Sequence, residues 1–286
     1  SDNFLDYSNL SRIVSISVAT SSIFLIYGVA RKFFDERYSL VTSCLFAFLP
    51  HLNHNSIMGL SEPIFILTIL ASFYFILNNK LKFVTISFIL AGLAYWIRLN
   101  GLIIFIVISL TYLLTFKKSQ NFLRNYGIGL IFFVLILSPM LLQKYEQYGD
   151  PFYSSYQGSM FSENYEQLES NLPSNTKSSA FDYIQNHGIA AFFGNFLLGG
   201  FVNSLNILSQ LSFPYLFILL PFGVLFSLRA FDQKSQYIKA NWIFIISSIL
   251  LMSVIISVVP EKRFLFFLMP FLVIFSVIPI QRVTEY

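Results

Sequence analysis

The charged residues of this chain fall in short clusters separated by long uncharged runs. Only 18 Lys/Arg and 14 Asp/Glu occur in 286 residues, and none of them lies in the runs 13–30, 63–79, 83–97, 99–116, 125–143, 240–260 and 264–281. A helix needs roughly 20 largely apolar residues to cross the hydrocarbon core of a bilayer. Such a helix also satisfies its own backbone hydrogen bonds in lipid. The pattern therefore predicts an all-α, polytopic transmembrane helical bundle.

Composition supports a membrane protein and excludes several other classes. The chain is 56% hydrophobic, with 34 Phe and a mean hydropathy of +0.68, which is too apolar for a soluble domain of this length. A single cysteine excludes an intramolecular disulfide framework. The net charge of +4 is modest. We attribute it to membrane topology and predict no nucleic-acid partner.

We predict about nine spans in one integral membrane domain covering residues 1–286. Six spans lie within 1–143, an external region covers 144–211, and three spans lie within 212–286. The predicted spans are 13–30, 39–52, 62–78, 83–97, 100–116, 126–143, 212–228, 241–259 and 264–281.

The basic residues orient these spans. With the N-terminus outside, 12 of the 18 Lys/Arg lie in inner loops, as the positive-inside rule requires. Treating the uncharged stretch 183–211 as a further span would reduce that excess to 10 against 8. We therefore predict interfacial or re-entrant helices there, on the outer side. Since long connections are usually functional, we expect the working face to be external.

An acidic residue at a predicted outer helix start is the first candidate for chemistry. Glu62 begins a span beside Pro63, where the helix dipole favours an anion. It is either a dipole partner or a catalytic carboxylate. His54 and Asn55 in the preceding loop are candidates for substrate binding. His51 and His54 match no standard metal-site spacing, so no metal ligand is assigned, although a divalent metal cofactor stays open.

Basic residues at outer helix ends are the candidates for binding an anion. Arg98 is the only charged residue between Lys82 and Lys117, and its guanidinium suits a phosphate better than a lysine does. Lys262 and Arg263 are adjacent at another outer turn. Asp150 follows a span within a Gly-Asp-Pro turn. The alternatives are a headgroup contact for Arg98 and ordinary solvated turns for the other three.

Four stretches together carry a family resemblance. LPHLNHNSIMGLSEPIFILTIL (49–70), AGLAYWIRLNGLIIF (91–105), YGDPFYSSYQG (148–158) and PEKRFLFFLMPFLVIF (260–275) follow one another in this order. The pattern resembles the GT-C superfamily of polytopic glycosyltransferases. Within it, the chain is most similar to the branch of protein O-mannosyltransferases and lipid A aminoarabinose transferases, and to the GPI mannosyltransferase that adds the second mannose.

The resemblance implies an enzyme that takes a sugar, with mannose favoured, from a polyprenyl (dolichyl-type) phosphate on the external or lumenal face. The acceptor would be a lipid, glycan or protein, and the anomeric centre would be inverted. An acidic residue would act as general base, and cations or a metal would stabilise the leaving phosphate. Glu62 matches the family's acid at the start of the helix after the second external loop. Arg98 and Arg263 match its arginines at two later outer ends.

The chain departs from the family pattern at its beginning. The family's principal catalytic acid lies in a first external loop that follows a first transmembrane helix. Residues 1–17 resemble only the tail of that loop, so we expect this sequence to be truncated. Asp2 and Asp6 are candidates for the base on this ground alone. The host membrane would be a prokaryotic plasma membrane or the endoplasmic reticulum. A transporter or flippase and a non-catalytic scaffold remain as alternatives.

Overall fold

Residues 2–153, 180–212, 214–228 and 235–284 are described by a computed structural model of the chain, without the side chains of residues 2–6. These residues form twelve helices and no strand within those ranges. The helices are α1 (Asp2–Ala30), α2 (Glu36–Ala47), α3 (Pro50–Ile57), α4 (Glu62–Ile76), α5 (Leu81–Ile97), α6 (Gly101–Phe116), α7 (Phe122–Tyr148), α8 (Ala180–His187), α9 (Ile189–Ser212), α10 (Tyr215–Ser227), α11 (Ser235–Val258) and α12 (Lys262–Thr284).

The predicted polytopic helical bundle is confirmed. Within the described ranges, α1 from Tyr7, α7, α9, α11 and α12 are long and apolar enough to cross a membrane. Four further helices in these ranges are apolar but shorter: α4, α5, α6 and α10. Many large apolar side chains remain exposed on the outside of the bundle, Phe24, Leu123 and Ile131 among them. In a membrane this apolar exterior faces lipid, where its exposure carries no hydrophobic cost.

The predicted span 39–52 is wrong as a single helix. α2 ends at Ala47, and α3 begins at Pro50. Proline has no N–H to continue a helix, and it disfavours helical backbone in the residue before it. Leu49 accordingly has φ −68° and ψ 114°, which is extended backbone. Neither helix is among those that are long and apolar enough to span.

The stretch 183–211, for which we predicted interfacial or re-entrant helices, lies in α8 and α9. α9 runs without a break from Ile189 to Ser212 through a π-helical segment, Phe193–Gly199. It is long and apolar enough to cross a membrane. Its interfacial or re-entrant placement therefore stays a prediction, and so does the external placement of 144–211, of which residues 154–179 lie outside the described ranges.

The core is aromatic and is centred on α12. The rings of Phe73, Phe244 and Phe271 meet with centroids 4.1 to 5.2 Å apart. Every residue from 265 to 279 is buried, so α12 is surrounded by the other helices. Small residues allow close backbone contacts, as in other membrane bundles. Gly200 of α9 packs directly on the backbone carbonyl of Ser253, and Gly223 of α10 packs on that of Phe275.

Contacts between helix ends define two opposite ends of the bundle. At the first, which we call the Glu62 end, the turn at Gly59 packs on Ser11 and Arg12, and Glu62 meets Arg98. At the second, the Lys32 end, Lys32 donates to Asn78 Oδ1 at 3.2 Å. The Tyr38 and Thr284 hydroxyls also meet there, at 2.7 Å.

Candidate functional site

A buried ion pair lies at the Glu62 end. Arg98 Nη1 donates to Glu62 Oε1 at 2.6 Å, and the two side chains are only 15% and 4% exposed. The other carboxylate oxygen, Oε2, is buried and has no hydrogen-bond partner among the described residues. Opposite charges and a short charge-assisted hydrogen bond make this pair strong. It joins the start of α4 to the end of α5.

The local backbone places both members of the pair. Glu62 is the first residue of α4, and Pro63 follows it in the first turn, where a missing N–H costs nothing. Arg98 caps the C-terminus of α5 with extended backbone, φ −150° and ψ 141°. The chain then turns immediately into α6 at Gly101, whose Cα packs against the backbone of Ala94. A side chain at position 101 would collide with that backbone.

Two aromatic rings flank the Arg98 guanidinium. Its Cζ lies 5.8 Å from the ring centroid of Phe65 and 5.9 Å from that of Phe264. Phe65 is on α4, one turn after Glu62, and Phe264 is in the 3₁₀ turn that opens α12. Ring faces attract cations, and they do not compete for the N–H donors. We call Glu62, Arg98, Phe65 and Phe264 the Glu62–Arg98 site.

The remaining predicted cations lie next to this site rather than inside it. Arg263 precedes Phe264, and its Nε pairs with Glu261 Oε2 on the exposed surface. Lys262 is exposed at the start of α12. Both residues therefore belong to the Glu62 end, while among the described residues Glu62 forms its ion pair with Arg98. Their role in phosphate binding stays a prediction.

The other predicted residues are in varied environments. His54 is exposed in α3, whereas Asn55 is buried, and its Nδ2 has no hydrogen-bond partner among the described residues. Asp150 Oδ1 accepts from the Phe152 N–H at 2.9 Å, which closes the turn after α7. The side chains of Asp2 and Asp6 lie outside the described residues. The proposed substrate or catalytic roles of these five residues stay predictions.

The described residues offer no ready metal centre. No three His, Cys, Asp or Glu side chains among them are grouped so that they could hold a metal ion. His51 stacks on Phe266 with ring centroids 6.0 Å apart. We therefore derive no chemical step through a metal.

Sequence reasoning missed the aromatic flanks and one lysine. Lys144 of α7 donates to the Tyr95 hydroxyl at 3.3 Å, and Tyr95 lies one helical turn before Arg98. The i, i+3 spacing of Tyr95 and Arg98 was visible in the sequence, and it predicts neighbouring positions on one face of a helix. The contact of Lys144 with Tyr95 and that of Phe264 with Arg98 depend on tertiary packing, which the sequence did not reveal.

Comparisons with known proteins agree with this architecture. Residues 7–142 match the family model described as dolichyl-phosphate-mannose-protein mannosyltransferase. The matched region contains both Glu62 and Arg98. No curated protein sequence matches the chain.

One solved structure shares the fold. It is the crystal structure of the Archaeoglobus fulgidus oligosaccharyltransferase in complex with Zn and sulfate, with a TM-score of 0.61 and 18% sequence identity. The similarity covers 97% of this chain and 38% of that one, so this chain spans well under half of that protein's length. At this identity the likeness concerns the fold alone.

Proposed function

We propose that the chain is a polytopic membrane glycosyltransferase of the GT-C superfamily, on the strength of its match to the mannosyltransferase family model and its shared fold, and that it transfers a sugar from a polyprenyl-phosphate donor to a hydroxyl group of a lipid, glycan or protein acceptor. The reaction would take place at the Glu62 end, on the external or lumenal face of a prokaryotic plasma membrane or of the endoplasmic reticulum. Mannose is the first sugar to test, because the matching family model describes mannosyltransferases.

The observation that carries this proposal is the buried Glu62–Arg98 pair at a helix junction of the bundle. In the transfer, the acceptor oxygen attacks the anomeric carbon, and the bond between that carbon and the phosphate oxygen breaks. The bonding electrons remain on the leaving phosphate, and the acceptor proton passes to a carboxylate. A guanidinium fixed beside the phosphate would stabilise the charge that develops there. Arg98 is suited to this task, since its fork of donors matches phosphate oxygens.

We assign Glu62 to positioning Arg98, in place of the general-base role that the sequence suggested. Its Oε1 is already committed to Arg98, and the residue is only 3% exposed. A general base must come within hydrogen-bond reach of the acceptor hydroxyl. A carboxylate so deeply buried is better placed to hold the guanidinium than to meet an incoming acceptor. Asp2 and Asp6 remain candidates for the base through the family resemblance alone.

The decisive experiment is sugar transfer by the full natural protein in membranes, with labelled polyprenyl-phosphate mannose and a crude acceptor fraction. We expect transfer by the wild type, near-complete loss in Arg98→Gln, and partial loss in Glu62→Gln. Lys118→Gln is a matched control, because it removes an exposed lysine at the Lys32 end. Folded protein that transfers nothing from several polyprenyl-phosphate sugars would contradict the proposal.

The pH dependence of transfer separates the two roles of Glu62. A general base contributes about 10²–10⁴-fold to the rate. Its loss in Glu62→Gln would remove the acidic limb of the pH–rate profile. A positioning carboxylate leaves the profile's shape intact, because the glutamine oxygen can still accept from Arg98. An altered profile in this variant would return Glu62 to the general-base role.

A further inference from the structure

The Glu62 end holds a lysine that is fixed in place but has no acidic partner among the described residues. Lys144 Nζ donates to the Tyr95 hydroxyl at 3.3 Å and to the Tyr153 carbonyl at 3.0 Å. It also lies 5.2 Å from the centroid of the Tyr95 ring. All three contacts are with neutral groups. The ammonium is thus held in one position while its charge stays uncompensated.

Two other cations at the Glu62 end are paired with acidic side chains. Arg98 is neutralised by Glu62, and Arg263 pairs with Glu261. An ammonium has three donors, and the two hydrogen bonds of Lys144 to Tyr95 and Tyr153 use two of them. One donor therefore remains for an anion. Desolvating a lysine without a counter-charge is costly, so a partly buried, unpaired lysine is a good candidate for binding an anionic ligand.

The packing of α5 against α7 fixes Lys144 relative to Arg98. Trp96 Nε1 donates to the Ile136 carbonyl at 3.0 Å, which ties the end of α5 to the middle of α7. Gly92 gives the two helices room to approach, because a Cβ there would lie 3.0 Å from Ile136 Cγ2. Tyr95 lies one turn before Arg98 at the C-terminal end of α5. Lys144 is hydrogen-bonded to Tyr95, so its ammonium group and the Arg98 guanidinium are both positioned by this end of α5.

We propose that Lys144 is a second phosphate-binding cation, positioned by Tyr95, that acts with Arg98 on the anionic donor. The inference rests on the proposed function, since it names the substrate group that both cations would hold. Arg98 would grip the phosphate as a planar fork, and Lys144 would supply the uncompensated positive charge. The ligand class is a lipid-linked phosphate ester. Its two sources are a polyprenyl phosphate and the headgroup of an ordinary anionic lipid.

Binding measurements on the full natural protein in nanodiscs test this role apart from catalysis. The probes are a polyprenyl phosphate, phosphatidylglycerol and inorganic phosphate. We expect Lys144→Gln to weaken polyprenyl-phosphate binding about tenfold, as loss of one charge-assisted bond would. Lys144→Arg should retain binding, and phosphatidylglycerol binding should not change. Lys118→Gln, at the Lys32 end, is the matched control for loss of one exposed positive charge.

Kinetics and a second variant show whether Lys144→Gln weakens donor binding directly or only by disturbing the structure. Lys144→Gln should raise KM for the donor while kcat and the unfolding temperature remain near wild type. Tyr95→Phe keeps the ring beneath the ammonium but removes the hydroxyl, so it should weaken donor binding less than Lys144→Gln does. Unchanged polyprenyl-phosphate binding in Lys144→Gln would overturn the inference. Equal weakening for phosphatidylglycerol would also overturn it, because Lys144 would then be a general headgroup anchor.

The outcomes also separate this inference from the proposed function. If Arg98→Gln weakens polyprenyl-phosphate binding and Lys144→Gln does not, only the lysine's role fails. If Lys144→Gln weakens binding but the wild type transfers no sugar, the phosphate site stands and the transferase proposal fails. If neither variant changes binding and no sugar is transferred, both are wrong.

Discussion

Arg98 and Glu62 form a 2.6 Å ion pair that closes the junction between the start of α4 and the end of α5. Both partners are largely withdrawn from solvent, and the Arg98 Cζ atom lies 5.8 and 5.9 Å from the ring centroids of Phe65 and Phe264. The pair therefore couples the stability of this junction to the placement of a cation at the proposed donor site.

Breaking one half of this pair should destabilise the protein more than removing both halves. Arg98→Ala leaves Glu62 buried and uncompensated, and we expect a loss of about 3 kcal/mol or more. The double variant Arg98→Ala, Glu62→Ala should recover part of that loss. A double-mutant cycle on the free energy of unfolding in detergent measures the coupling. Strictly additive single effects would contradict a direct energetic link between the two side chains.

The uncharged rings of Phe65 and Phe264 should raise the affinity for the donor, because they help to hold the Arg98 guanidinium in place. Phe264→Leu removes one ring face from the guanidinium, and an interaction of about 0.5–1 kcal/mol corresponds to a few-fold weaker donor binding. Phe264→Tyr keeps the ring and serves as the control. The measurement is KM for the polyprenyl-phosphate donor. Equal values for Phe264→Leu and Phe264→Tyr would argue against a role for the ring.

Two glycines in α9 should respond oppositely to the same substitution. Gly200→Ala places a methyl group against the Ser253 backbone carbonyl, so α9 and α11 must separate. Such overpacking costs about 1–3 kcal/mol. Gly194→Ala meets no atom within 4 Å and should leave stability unchanged or slightly higher. Thermal unfolding of both variants in detergent provides the comparison, and similar transitions would mean that α9 does not lie against α11.

The two ends of the bundle should face opposite sides of the membrane. In a Cys44→Ser background, Glu261→Cys reports on the Glu62 end and Lys118→Cys on the Lys32 end. From the excess of basic residues in the inner loops, we expect an impermeant maleimide added outside intact cells to label only Glu261→Cys. Labelling of Lys118→Cys alone would invert the topology, and it would place the proposed site on the cytoplasmic face.

Much of the fold could be predicted because lipid imposes a simple rule on sequence. Uncharged runs such as 83–97 and 240–260 became α5 and most of α11, since a backbone in lipid must hydrogen-bond internally. The break at Pro50 was also visible, yet hydropathy averaged over 39–52 concealed it. In α9, scattered Gly and Asn residues suggested interfacial or re-entrant helices, whereas the structure has one continuous helix there. In membrane proteins, neighbouring helices can supply the hydrogen-bond partners that allow such residues within a helix, and a single segment of sequence does not reveal those partners.

The candidate site could be predicted only in part. Glu62 and Arg98 stood out because each is a lone charge between long uncharged runs, and ionisable residues at the membrane boundary that face the bundle tend to line functional sites. Their direct contact joins residues 36 positions apart. Lys144 was counted only as a topology signal, because nothing in the residues around it indicates Tyr95, which lies 49 positions earlier. Contacts of this length follow from helix packing, so they had to be observed.

The central position of α12 has a consequence for how the protein is made. Its residues 265–279 are buried on all sides, yet it is the last of the described helices to leave the ribosome. Until α12 is in place, the apolar faces that pack on it lack that partner, among them the rings of Phe73 and Phe244 that meet Phe271. The described helices therefore cannot complete their packing until α12 has been synthesised, and a product that ends before residue 265 would expose their core faces.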